Sequence, residues 1–275
     1  MLSQRLIIGL GKDAGGFVSC LLLGRWEYLT GTISRDFRAL GMLHLLAISG
    51  QHLTVLLGGL EFLLRGFNKY IRFAILAAGA LIILALTGMS AAVARAALMS
   101  VLYYTAFLFR RKPDSTTSLF VVTAAIIALN PAAAADLGLI MSFLSTLGII
   151  MIGKTALDKR GKTYSRPVEF VLVNLMNSLC ATAFTLPAAW LICGEFAPAA
   201  PITTLIFSLP LDALLYISPL AILLWGTPVI GAVGFVVKTL CDLTSSGSRT
   251  LAALLNGSVV SLRYPFVWLA FAAAA

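Results

Sequence analysis

Long apolar stretches follow one another along most of the 275-residue chain. Because about 20 apolar residues let a helix cross the hydrocarbon core of a bilayer, the pattern predicts about nine membrane segments, within a range of eight to ten. The stretch at 5–24 is either a short span or an interfacial helix. The predicted fold class is therefore all-α, a polytopic transmembrane helical bundle. The apolar stretches lie at residues 5–24, 42–64, 73–88, 91–109, 117–130, 134–152, 168–193, 199–225, 228–243 and 250–272.

Two of these stretches carry residues that interrupt a helix. The first contains HLLAISGQH, in which a Ser-Gly pair lies among polar side chains, and the second contains Pro201 and Pro210. Proline removes a backbone donor, and non-helical backbone at membrane depth survives only against protein or a water-filled cavity. We therefore predict broken or re-entrant segments near 43–53 and 199–212. For the second of them, a kinked span is the alternative.

Composition also indicates an integral membrane protein. The chain is 60% hydrophobic and 11% charged, whereas soluble domains carry about 25% charged residues. Most of the length is needed for the spans, so no soluble domain of ordinary size fits beside them. We predict a single membrane-embedded domain over residues 1–275, with a short N-terminal helix at 1–24, an outer loop at 25–40 and a core at 41–275.

Basic residues alternate between successive loops. Lysine and arginine gather at 65–72, 110–116 and 154–166, whereas the loops near 87–90 and 130–136 hold neither. Because cytoplasmic loops are enriched in these residues, the three basic loops and the N-terminus are predicted to face the cytoplasm. The net charge of +9 is then explained mainly by topology.

Polar side chains within the apolar stretches are the candidate functional residues, because such residues are costly in lipid and usually functional. Arg95 either snorkels to the interface or has a partner or a polar conduit. Asp136 either caps a helix or pairs with Arg95 in an outer vestibule that also contains His44. The candidate path-lining residues are His44, Ser49, Gly50, Gln51, His52, Arg95, Asp136, Ser142 and Thr204.

Sequence patterns for catalysis are weak. Two histidines are too few for a three-histidine zinc centre, the four cysteines form no CxxC pair, and there is no Walker loop. We therefore expect no enzyme activity, no catalytic residue, no metal and no cofactor. AISG at 47–50 is similar to the serine turn of rhomboid intramembrane proteases, which leaves an intramembrane serine protease as a remote alternative.

Three blocks of sequence carry a family resemblance, and a fourth carries it more weakly. The blocks are GMLHLLAISGQH at 41–52, LTGMSAAVARAALMS at 86–100, LNPAAAADLGLIMSFLSTLGIIMI at 129–152 and the weaker PITTLIFSLPLDALL at 201–215. With these blocks the chain resembles the membrane "competence" domain of the ComEC family, bacterial channels for DNA uptake. Gln51, Leu139, Ser145 and Thr204 depart from the residues that are usual in that family.

The resemblance implies a function. It implies an inner-membrane channel that passes single-stranded DNA into the cytoplasm during natural transformation. The expected partners are a cytoplasmic helicase-like ATPase and an outer-side DNA receptor, and a homo-oligomer is left open. The resemblance also implies that this chain is the channel core alone, without the OB-fold and metallo-β-lactamase-like domains of full-length members. A transporter of a small polar or anionic solute, using the same broken-helix site, is the main alternative.

Overall fold

The N-terminal region contains two helices where the sequence predicted one. The computed structural model describes residues 2–47, 49–153, 166–193, 195–223, 230–255 and 260–261. Helices α1 (Leu2–Leu10) and α2 (Lys12–Leu23) divide the predicted helix at 1–24, because Gly11 between them has a φ of 87°. Glycine adopts this left-handed backbone without steric cost.

Helix α3 (Gly31–Ala39) lies within the segment 25–40, for which the sequence predicted an outer loop. The segment is thus partly helical, and its outer location stays a prediction. α3 is amphipathic, and its apolar side chains Ile33 and Phe37 are buried. Phe37 packs edge-on against Phe17 of α2, with ring centroids 6.0 Å apart. The segment is therefore part of the packed protein.

The apolar stretches form helices, and several begin at a polar capping residue. Asn68, Asp114 and Asp136 each accept a backbone N–H from two or three residues later, which satisfies a free donor at a helix start. These helices are α4 (Leu43–Leu46), α5 (Gly50–Leu63), α6 (Lys69–Leu86), α7 (Ala91–Leu108), α8 (Ser115–Leu129), α9 (Leu137–Gly148), α10 (Arg166–Cys193), α11 (Ala200–Leu223) and α12 (Ile230–Leu254). Smaller elements are 3₁₀ turns at Trp26–Tyr28 and Pro131–Ala135, a π-helical turn at Ile149–Gly153, and an antiparallel pair of β1 (Glu195–Phe196) with β2 (Val260–Ser261).

The all-α prediction is confirmed for the described part of the chain, apart from the two-residue strands. Four described helical segments are long and apolar enough to cross a membrane: α6, α7, Val171–Ile192 within α10 and Ala200–Ile222 within α11. α8 and α9 are apolar but shorter. The count of about nine membrane segments is not confirmed and stays a prediction.

Two predicted boundaries are wrong. α12 is one helix from Ile230 to Leu254, whereas the sequence suggested separate segments at 228–243 and 250–272. α11 is continuous although Pro210 and Pro219 lie within it, so it has no break after its start at Ala200. The prediction of a broken segment is therefore wrong from Ala200 onward, and the uninterrupted helix favours the alternative of a span. Neighbouring helices pack against α11, and such packing is what makes proline tolerable in membrane helices.

Apolar cores on either side of the α4–α5 junction hold that junction in place. The largest core joins α1 to α4 with α11 and α12, and it includes Leu45 and Leu46. A second core joins α5, α6 and α7, and it includes Leu53 and Leu57. A smaller core joins α8 to α9 and to the turn between them. The break between α4 and α5 therefore lies where the two larger cores meet.

Five helices contact one another in closed order: α5 with α7, α7 with α9, α9 with α10, α10 with α11, and α11 with α5. We call these five the helix ring. Small residues allow close approach within it, as is usual for membrane helices. A Cβ added to Gly148 of α9 would lie 2.6 Å from the carbonyl oxygen of Cys180 on α10. α6 and α8 contact members of the ring without belonging to it.

Candidate functional site

The helix break predicted near 43–53 is present. Between α4 and α5 the backbone is extended, with ψ of 133° at Ala47 and 172° at Ser49. Ile48 lies outside the described residues. Because a helix end leaves backbone donors and acceptors unpaired, such a break inside a membrane domain supplies polar groups where lipid-facing helices supply none.

His52 caps the start of α5. Its Nδ1 accepts the backbone N–H of Ser49 at 3.2 Å and lies 2.9 Å from Ser49 Oγ. Since an N–H group can only donate, Nδ1 carries no proton in this arrangement. The imidazole thus takes the role of the glutamate or glutamine in a capping box. His52 is 5% exposed, so it supports the break from within the protein.

Arg95 of α7 is buried where three helices meet. Its Nε and Nη2 donate to Ser142 Oγ of α9 at 3.2 and 2.7 Å, and its Nη1 lies 3.1 Å from Met99 Sδ. Gly50 of α5 leaves room for this group, because a Cβ there would lie 3.7 Å from Nη2 and 3.2 Å from the Cβ of Ala96. The guanidinium therefore occupies the space between α5, α7 and α9.

The described part of the chain places no carboxylate beside Arg95. Among the described residues, no Asp or Glu oxygen lies within 4.0 Å of its guanidinium. The side chain is 4% exposed and points to Ser142, so the alternative that it snorkels to the interface is wrong. A guanidinium carries five N–H donors. One serine oxygen and one sulfur do not occupy all five, so the remaining donors can bind water or an anion.

Asp136 does not pair with Arg95. Its Oδ1 accepts the backbone N–H of Leu139 at 3.0 Å, and its carboxylate is exposed. The cap alternative is therefore confirmed and the pairing hypothesis is wrong. A carboxylate at a helix N-terminus is favoured by the helix dipole, which explains this position without any ion pair.

Two polar contacts join the break to α11. Gln51 Nε2 donates to Asp212 Oδ1 at 3.3 Å. His44 Nε2 lies 3.5 Å from Thr204 Oγ1, while its Nδ1 lies 3.0 Å from the carbonyl oxygen of Gly41. Because a carbonyl can only accept, Nδ1 carries the proton and Nε2 accepts from Thr204. Gln51 and His44 are exposed, so this side of the break borders open space.

Comparison with known proteins identifies the family. The family model described as "Competence protein" matches residues 21–275, well over half of the chain. The chain belongs to the competence protein family. It is also 31% identical over 144 residues to ComE operon protein 3 of Bacillus subtilis (strain 168), in an alignment covering 52% of this chain and 19% of that relative. This competence protein thus spans about a fifth of the length of that relative. No solved structure matches it.

The predicted site residues of this competence protein fall into separate groups. One group lies between α5, α7 and α9, a second lies between the break and α11, a third forms the cap of α5, and Asp136 stands apart. The first group is Gly50, Arg95 and Ser142. The second is His44, Gln51 and Thr204, and the third is Ser49 and His52.

Met99 and Asp212 belong to the site but were not among its predicted residues. Met99 lies four residues after Arg95, and residues at this spacing meet on one face of a helix. Asp212 is an acidic residue in an apolar stretch, which is itself a functional signal. Its partner Gln51 is distant in sequence, so only the fold reveals their contact.

Proposed function

We propose that this domain forms the conduit through which single-stranded DNA crosses the bacterial inner membrane during natural transformation. Membership of the competence protein family and the likeness to a ComE operon protein support a role in competence. The observation that carries the proposal is the closed helix ring with a broken helix and polar side chains at its contacts.

The chemistry of these side chains suits a polyanion. Each nucleotide carries a phosphate charge, so a path across the bilayer must be wet and lined by polar groups. Gln51 and Thr204 supply such groups between α5 and α11. Arg95 supplies a buried cation that forms no ion pair with any residue that the structure describes. A continuous row of cations would hold the strand too tightly for transport, so a single arginine is favourable here.

The proposal includes an orientation and partners. The N-terminus and the basic loops at 65–72 and 110–116 face the cytoplasm; the third such loop, at 154–166, lies outside the described residues except for Arg166. Because the sequence has no Walker loop, a cytoplasmic helicase-like ATPase supplies the driving force. A DNA receptor on the outer side delivers the strand, and a homo-oligomer is compatible with this arrangement.

The substitution Thr204→Phe tests the path. A phenyl ring at this position would fill space between the break and α11, so uptake should fall to the level of a deletion strain while DNA bound at the cell surface is unchanged. Uptake is measured as labelled DNA that resists added nuclease. The matched control is Ile206→Phe, because Ile206 is an exposed apolar residue on the same helix.

Equal loss in the Ile206→Phe control would contradict a path at Thr204. Normal uptake in a clean deletion strain would contradict the DNA function itself. The amount of each variant in the membrane and its thermal unfolding in detergent show whether it has folded. If Thr204→Phe does not fold, Thr204→Val replaces it, because valine removes the hydroxyl and nearly keeps the volume.

A transporter of a small anionic solute is favoured by one specific observation, the buried Arg95, which pairs with no carboxylate among the described residues. Such a protein would lose solute transport in the Thr204→Phe variant and keep normal DNA uptake in a deletion strain. The contact between Ser49 and His52 also resembles the dyad of a serine protease. That contact is explained by helix capping, since the same Nδ1 accepts the backbone N–H of Ser49.

A further inference from the structure

A cavity of about 480 Å³ lies between the end of α7 and the start of α8, away from the broken helix. One wall is apolar and is formed by Leu102, Ala106 and Phe109 of α7. The turn between the helices contributes Arg111 and Lys112. The cavity therefore combines a cationic end with an apolar side.

The end of α7 places the two cations. Arg110 has a left-handed backbone with a φ of 55°, and the N–H of Arg111 donates to the carbonyl of Ala106 at 2.8 Å. This is the usual way to close a helix C-terminus, and cations are favoured beside the last carbonyls. Neither Arg111 nor Lys112 forms an ion pair with any described residue.

The cavity lies at the level where membrane-length helices end. α7 ends at Leu108, and the carbonyl of Leu108 accepts from Lys69 Nζ at 3.4 Å, at the first residue of α6. Nearby, Arg72 lies 4.9 Å over the ring of Phe107. Aromatic and basic side chains at the ends of spans are typical of the membrane–water interface, where phospholipid headgroups lie.

We infer that this cavity binds an anionic phospholipid. Its phosphate lies against Arg111 and Lys112, and the upper part of an acyl chain lies along Leu102 and Phe109. Basic pockets between membrane helices recognise anionic headgroups, and the apolar wall distinguishes a lipid from a soluble phosphate.

Two features support this assignment. The carboxylate of Asp114, which also lines the cavity, accepts the backbone N–H of Thr116 and the hydroxyl of Thr117, so it is engaged in capping α8. α7 belongs to the helix ring, but none of the residues that line the cavity is among those of the proposed DNA path. The lipid site therefore lies apart from the proposed DNA path and does not depend on that proposal.

Native mass spectrometry of the purified chain tests the site. The protein is taken from nanodiscs of phosphatidylcholine containing phosphatidylglycerol, and retained phosphatidylglycerol is counted. Each cation near anionic lipid contributes about 1 kcal/mol, so Arg111→Gln with Lys112→Gln should weaken retention by about 30-fold, which corresponds to about 2 kcal/mol. Ala106→Leu should also weaken retention, because it fills the cavity without changing charge.

The matched control is Arg35→Gln with Arg38→Gln, which removes two exposed cations of α3 that do not line the cavity and should keep retention near that of the unchanged chain. Equal losses in the two charge variants, or full retention in Ala106→Leu, would overturn the inference. Displacement of the lipid by glycerol 1-phosphate would instead indicate a soluble-phosphate site, and displacement by a single-stranded oligonucleotide would indicate a nucleic-acid surface. Thermal unfolding in pure phosphatidylcholine nanodiscs checks that each variant is folded.

Discussion

At Arg95, one guanidinium bridges α7 to α9 and lies against α5. A buried donor that loses its acceptor costs about 1–3 kcal/mol, although interhelical hydrogen bonds in membranes contribute on average only about 0.6 kcal/mol. The single hydroxyl of Ser142 accepts two of the guanidinium donors. Loss of the Ser142 hydroxyl should therefore cost more free energy of unfolding than loss of an average interhelical hydrogen bond in a membrane.

Arg95 and Ser142 should be coupled in a double-mutant cycle. Ser142→Ala should lower the free energy of unfolding by about 1–3 kcal/mol, because it leaves the buried cation without an oxygen acceptor. Arg95→Met should cost less in the Ser142→Ala background than alone, with a coupling of about 0.5–3 kcal/mol. Reversible unfolding in mixed detergent measures each value.

The control for this cycle is Ser145→Ala, one turn further along α9. The hydroxyl of Ser145 donates to the carbonyl of Ser142 within the same helix, so its loss should show no coupling to Arg95→Met. Additive losses for Arg95 and Ser142 would contradict the contact. From the sequence alone, Arg95 could be recognised as an unusual residue, but its partner could not. Asp136 had the opposite charge, yet the backbone of its own helix was the nearer donor.

At the scale of single elements, the hydrophobic pattern predicted most helices, and proline was the misleading signal. Pro210 lies inside α11, because packed neighbours reduce the cost of a missing donor, and a sequence does not reveal its neighbours. The Ser-Gly break was predictable because a Ser-Gly pair among polar side chains is visible in the local sequence. The cap that His52 forms for this break was not predicted and is seen only in the structure. Helix α3 within the segment 25–40 was not predicted, because a short amphipathic helix resembles a charged loop in sequence.

The contact of α9 with α10 depends on Gly148. A Cβ there would lie 2.6 Å from the carbonyl oxygen of Cys180 and 2.8 Å from the ring of Phe184. Since backbone cannot move aside as a flexible side chain can, Gly148→Ala should lower the free energy of unfolding by about 1–3 kcal/mol. Gly58→Ala is the control, because nothing lies within 4 Å of its added Cβ.

In an exposed helix position, alanine is favoured over glycine by up to about 1 kcal/mol, so Gly58→Ala should be neutral or stabilising. Thermal unfolding in detergent gives both values, and cysteine cross-linking between α9 and α10 reports whether the helices have separated. A stabilising effect of Gly148→Ala would mean that the two helices are not in close contact, and the ring would then be open at that point.

At the scale of the whole molecule, composition was sufficient to predict a membrane protein, and the sequence blocks were sufficient to predict the family. The closed order of the ring was not predictable. It joins α5 to α11 through Gln51 and Asp212, which are 161 residues apart in the chain. No local pattern contains such a pairing, since it arises only when the helices between them have packed.

A water-filled path inside the ring should be reachable by a charged thiol reagent. Cysteines introduced at Gln51 and Thr204, after replacement of the four native cysteines, should react with such a reagent added from water. A cysteine at Ile82 should not react, because Ile82 is an exposed apolar residue of α6, a membrane-length helix outside the ring, and charged reagents do not enter lipid.

Single-stranded oligonucleotide should slow the reaction at Thr204, because a strand in the path would shield the thiol. A cysteine at Asp36 supplies the control outside the helix ring, since Asp36 lies on α3, is half-buried and contacts the exposed Arg249 at 3.9 Å. Its reaction should be unaffected by the oligonucleotide. Reaction at Ile82 as fast as at Thr204 would place water outside the ring. Protection at Asp36 as strong as at Thr204 would mean that the oligonucleotide coats the surface, and the conduit would lose its support.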